Sequence, residues 1–150
     1  MQLQTSCYSL ELYIRNDPVI DEFTPSATGG IWNDVNVKLS LHDAFSAKLH
    51  AENNTFMGRK DFERLAQYIE DSIKNIRSNT HANFDIYSPL NLGFEVRCID
   101  GDLFDNNEGE ITLETFIDIS RENSADREHI GARGTVSFEQ ALTFADSLRV

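Results

Sequence analysis

Four stretches of this chain alternate apolar and polar residues with a period of two, and that alternation limits the fold more than any other feature. In YSLELYIR, residues 8–15, Tyr8, Leu10, Leu12 and Ile14 fall on one side, with Ser9, Glu11 and Tyr13 on the other. VNVKLSLH turns Val35, Val37, Leu39 and Leu41 inward, and LGFEVRCI does the same with Leu92, Phe94, Val96 and Cys98. EITLETFIDIS turns Ile111, Leu113, Thr115, Ile117 and Ile119 inward, leaving Glu110, Thr112, Glu114, Phe116 and Asp118 outward. Neighbouring side chains of a strand point to opposite faces, so each stretch reads as a strand with one covered and one wet face. Strands of a parallel sheet, covered on both faces, would instead read as unbroken apolar runs. The sheet is therefore expected to be antiparallel.

Two segments carry the helical period. In GRKDFERLAQYIEDSIKNIR, residues 58–77, Phe62, Leu65, Ala66, Ile69, Ile73 and Ile76 form one apolar stripe. Arg59 and Lys60 have the wrong sign for a helix start, which leaves that boundary open. In TVSFEQALTFADSLRV, residues 135–150, Phe138, Ala141, Leu142, Ala145 and Leu148 make the second stripe, and Ser137 and Gln140 have the spacing of a capping box. Two such helices suit the covered face of one sheet. The expected fold is α+β: one domain over residues 1–150, with four to six mostly antiparallel strands and two amphipathic helices packed on one face.

Other segments are less regular. Residues 16–30 hold turn chemistry at Asn16-Asp17-Pro18, Pro25-Ser26 and Gly29-Gly30 and read as a surface loop. Residues 43–57 have no firm period and leave a short strand or a helical turn open. FDIY, residues 84–87, reads as a short strand before Pro89, and residues 120–133 read as polar loop. No internal repeat is visible.

Charge is the strongest bulk signal. The net charge is −12, and residues 95–118 hold eight acids against one base, Arg97. Such a field repels phosphate backbones, which disfavours nucleic acid and anionic membranes as partners. No apolar run approaches the roughly 20 residues needed to cross a bilayer. The start, MQLQTSCYSLELYIRND, has no basic segment followed by an apolar one, so no signal peptide is expected. Cys7 and Cys98 are too few for a disulfide framework, consistent with reduced thiols and a cytoplasmic location.

No catalytic, metal or cofactor residues emerge. DGDLFDNNEGE, residues 100–110, is acidic enough to suggest a calcium loop, but Phe104 stands at position 5 where an oxygen ligand belongs, Asp105 at position 6 where the glycine belongs, and Ile111 at position 12 where the glutamate belongs. His42-Asp43 and His50-x-Glu52 match no ligand spacing. There is no nucleophile elbow, and Gly29-Gly30 opens no phosphate-cradling motif. Cys98 points to the expected core. Carboxylates crowded on an open strand face lack the pocket that would separate their pKa values for acid–base work.

The acids fit a binding surface better. Glu95, Glu114, Phe116 and Asp118 are expected on one outward face, with Asp100, Asp102, Asp105, Glu108 and Glu110 around the turn. Like charges facing each other on neighbouring strands destabilise a sheet, and a cationic partner would relieve that cost. Phe116 is the candidate aromatic anchor, with packing under a loop as the alternative, and Trp32 in GGIWNDV is a second candidate that reads first as core or sheet-edge packing.

The order of GGIWNDVNVKLSL, NNTFMGRKDFERLAQYIED, LGFEVRCID and GTVSFEQALTFADSLR resembles bacterial immunity proteins of polymorphic and contact-dependent toxin systems, the wall-associated-toxin immunity group above all. The resemblance implies no catalysis, and a cognate cationic toxin domain as partner. Such toxins are often nucleases, whose basic grooves an acidic face would fill in place of phosphates. Two other classes stay open: a small carboxylate- or metal-dependent hydrolase, and a scaffold module without catalysis.

Overall fold

The computed structural model describes residues 1–14, 32–41, 50–79, 86–89, 93–104, 107–119 and 128–149, with backbone only at 32–34 and 50–56. The elements run β1 (Gln2–Gln4), β2 (Tyr8–Ile14), β3 (Trp32–Leu41), β4 (His50–Gly58), α1 (Arg59–Arg77), β5 (Ile86–Tyr87), β6 (Phe94–Leu103), β7 (Gly109–Asp118), β8 (His129–Ser137) and α2 (Phe138–Ser147). They form two four-stranded antiparallel sheets, ordered β1-β2-β3-β4 and β5-β6-β7-β8. The α+β class follows the alternation, but the strands among the described residues number eight where four to six are expected.

The extra strands, the short β1 together with β4 and β8, lie where the pattern is weak. β4 comes from the aperiodic stretch 43–57 and is fixed by a continuous register against β3, from Trp32↔Gly58 to Ser40↔His50. β8 begins at His129, inside the stretch expected to be polar loop, and pairs with β7 from Asp118↔His129 to Glu110↔Ser137. Its HIGARG start has little apolar content of its own. Cross-strand pairing with a strongly alternating neighbour decides its state.

Each sheet is a four-strand meander that runs straight into a helix, with no residue between Gly58 and Arg59 or between Ser137 and Phe138. The molecule is thus a ββββα unit repeated, although the sequence shows no repeat. At the first junction Gly58 N–H donates to Asp61 Oδ2 at 3.0 Å. The buried carboxylate of the first turn therefore does what Arg59 and Lys60 could not, satisfying an amide and favouring the positive helix end. At the second, Ser137 Oγ accepts from Gln140 N–H at 3.3 Å, the cap its spacing indicates.

α1 packs against β4, β5 and β6, and α2 against β1, β7 and β8, with the helices in contact. Both helices thus cover the inner face of the second sheet while each touches the first. One core results. It holds Leu10, Leu12, Val35, Val37 and Leu39 from the first sheet, Val96, Leu113 and Ile117 from the second, and Leu65, Ile69, Ile73, Ala141 and Ala145 from the helices. Phe144 joins the α2 stripe as a buried residue, whereas Leu142 is only partly covered. Tyr8 ties the sheets together: its ring is fully buried and its hydroxyl lies 2.9 Å from Thr115 Oγ1, so two polar groups of the core satisfy each other. Cys98 is buried and Cys7 exposed, both free thiols. Among the described residues no helix is long and apolar enough to cross a membrane.

Candidate protein-binding surface

The acidic segment forms the β6–β7 hairpin, and its register decides which carboxylates share a face. Glu95 lies opposite Phe116, and Arg97 opposite Glu114. Simple alternation from there would send Asp100 and Asp102 inward, to the side of Val96 and Cys98. A bulge between Cys98 and Asp100 inserts one residue and resets the parity. Asp100 then stands opposite Thr112 and Asp102 opposite Glu110, all on the outer face, while Gly101 turns inward onto Ile76 of α1. The bulge is what allows the acids to gather.

They do not gather as one patch. Glu114 is largely covered and lies between two arginines, its Oε1 accepting from Arg133 Nε at 2.9 Å and its Oε2 lying 4.0 Å from Arg97 Nη1. Arg133 comes from β8 and also reaches Oε1 through its terminal nitrogen. Arg97, Glu114 and Arg133 therefore form a charge-compensated row across three strands. Phe116 is half-buried, and its ring lies over Gly131, where any Cβ would collide with it. It serves at least partly as cover for a bare stretch of β8. Asp118 faces His129 in register, and its N–H donates to Gly93 O at 3.2 Å. Glu95 is half-buried.

Beyond this row the hairpin end is acidic and uncompensated. Asp100, Asp102 and Glu108 are exposed and Glu110 half-exposed, and none makes an ion pair among the described residues. Asp100 Oδ1 accepts only its neighbour's amide, Gly101 N–H, at 2.8 Å. Asp102 and Glu110 face each other directly. Asp105 and the side chain of Trp32 lie outside the described residues. The structure thus places the candidates in two groups: a balanced one along Glu114 and an unbalanced one at the hairpin end.

Two residues at that end went unselected from sequence. Leu103 and Phe104 are 46 % and 52 % exposed, among the large apolar side chains most open to water. The signal was present, since LF interrupts the acids of DGDLFDNNEGE. Without the bulge, though, the face of each could not be assigned.

Chemistry of other kinds finds less support. The Cys98 thiol is pushed up to about 12, chiefly by burial, so it is no thiolate near neutrality. Among the described residues no three His, Cys, Asp or Glu side chains converge as metal ligands. A groove of about 330 Å³ lies between α1 and the end of α2, lined by Arg59, Glu63, Gln67, Leu148 and Arg149. Its arginines are already engaged: Arg59 with Glu63 at 2.7 Å, and Arg149 with Glu70 at 2.6 Å. The hydrogen bond from Arg149 holds the Glu70 carboxyl below its usual range. Comparison with protein-family models, curated proteins and solved structures gives no match, so the hairpin's own geometry carries the functional reading.

Proposed function

We propose that this chain is a non-enzymatic immunity protein, which binds a cognate secreted toxin domain of basic character, such as a nuclease, and so neutralises it. The observation that supports this most is the direct opposition of Asp102 and Glu110, with Asp100 and Glu108 on the same hairpin end and no ion pair to any of the four among the described residues. Folding gains nothing from that arrangement, whereas a lysine- or arginine-rich partner surface would be steered towards it and would relieve its repulsion. The order of segments that resembles toxin-immunity proteins points the same way. The Arg97–Glu114–Arg133 row, one acid between two bases, adds nothing to the steering of a cationic partner.

The test uses the carboxy-terminal domain of the polypeptide encoded directly upstream of this chain's gene. Cells producing that domain should survive only when this chain is present, and the two purified proteins should associate. Replacing Asp102→Lys together with Glu110→Lys should slow association by about tenfold or more at low salt, with the circular dichroism spectrum unchanged. An unchanged association rate would remove the acidic hairpin from the reading. Hydrolytic activity in the purified chain would replace the reading with the hydrolase alternative.

A further inference from the structure

Leu103 and Phe104 stand at the end of a hairpin that is anchored at its base. Gly101 lies against Ile76 near the end of α1, and Gly109 lies against the Phe138 ring at the start of α2. The Arg77 guanidinium stacks 5.2 Å from the centre of that ring, and its Nη2 donates to Asn107 O at 3.2 Å. Across the tip, Phe104 N–H donates to Glu108 O at 2.7 Å. Asn107 takes the left-handed conformation, φ 63°, that asparagine tolerates better than most residues. The end of α1 and the start of α2 therefore hold the hairpin; Leu103, opposite Gly109, continues the inner positions of β6, Phe104 follows it past the strand end, and both side chains are open to water. Half-exposed apolar groups on a pre-organised element lose little freedom when they are covered, which favours tight association.

We infer that Leu103 and Phe104 form an apolar anchor that enters an apolar cleft rimmed by lysine and arginine on the partner protein. Charge chooses the occupant. Asp100, Asp102, Glu108 and Glu110 lie on the same hairpin end as the anchor without a compensating cation among the described residues, so the surround of the receiving cleft must be positive. A second copy of this chain, at a net charge of −12, would bring acids against acids. The inference rests on the proposed binding function and assigns a division of labour within it: the carboxylates set the rate of encounter, and the two apolar side chains set how long the complex lasts.

The same upstream-encoded domain serves as probe. In the variant Leu103→Ser with Phe104→Ser, dissociation should accelerate by about tenfold or more while association stays within about threefold, the reverse of the Asp102→Lys, Glu110→Lys pattern. Both substitutions fall on exposed side chains, so the unfolding midpoint should not move, and Phe104→Leu should restore most of the lifetime. If the unaltered chain binds and the serine variant dissociates at the same rate, the anchor is overturned and the immunity reading survives. If the unaltered chain does not bind, both fall. Sedimentation of the free chain supplies the last arm: a dimer that disappears in the serine variant would give the anchor to a second copy and overturn the assignment.

Discussion

Two carboxylates on the same strand and face, Glu110 and Glu114, show how far a residue's role depends on its cross-strand neighbours. Glu114 has arginines on both sides, from Arg97 on β6 and Arg133 on β8. Glu110 has Asp102 on one side and Ser137 on the other. The two should respond oppositely to substitution. Glu114→Gln removes a largely covered, doubly paired charge and should cost about 1 kcal/mol in urea unfolding. Asp102→Lys places an ammonium opposite Glu110, converting a repulsive pair to an attractive one, and should raise the unfolding midpoint at low salt, with the gain shrinking as salt is added. A fall in the midpoint would show that the facing carboxylates are not in conflict. The pair is then a position where stability and the proposed binding pull in opposite directions.

The hairpin is the element on which the functional reading depends, and its glycines hold it in place. A Cβ at Gly109 would fall within contact distance of the Asp102 carbonyl oxygen and the Phe138 ring. One obstacle is backbone and the other a packed aromatic ring, so neither can yield cheaply. Gly109→Ala should destabilise the fold by about 1–3 kcal/mol and raise hydrogen exchange at residues 101–110 ahead of the rest of the molecule. Exchange that rises uniformly would mean the hairpin has no stability of its own to lose. The alternation of β2, β3, β6 and β7 was legible because each carries apolar residues on every second position. The bulge after Cys98 was not, because it leaves no mark on composition and appears only when two strands are paired. β4 and β8 were equally illegible: their own residues decide little, and their partners decide the rest.

At the scale of the whole molecule, several weak acids are buried in neutral form, and this links stability to pH. Burial pushes the Tyr8 hydroxyl and the Cys98 thiol up to about 12, and raises the Tyr68 and Tyr87 hydroxyls as well. In the unfolded chain these groups ionise near their ordinary values, 9.0 for the thiol and 10.0 for the hydroxyls. Between those values and about 12 the unfolded state has lost protons that the folded state still holds, so stability must fall as pH rises. Tyr8 and Cys98 each contribute at most about 1.4 kcal/mol per pH unit to that loss within their windows and nothing below them. The melting temperature should therefore decline steadily above pH 9, and Cys98→Ala should flatten the first part of that decline. A melting temperature constant to pH 11 would contradict the burial of these groups.

Period-two and period-3.6 patterns determined the α+β class, both helices and most of the core, because covering one face of an element leaves a local mark on every second or every third and fourth residue. The Ser137–Gln140 spacing determined the cap of the second helix. The local excess of acid was equally plain. Only the tertiary structure decided that the strands make two sheets, each running into a helix, that Arg133 crosses from β8 to balance Glu114, and that a one-residue bulge brings Asp100 and Asp102 to the outer face. Each of these depends on which strand lies beside which, and at what register. Such pairings join residues far apart in the chain, so no local window of sequence contains them.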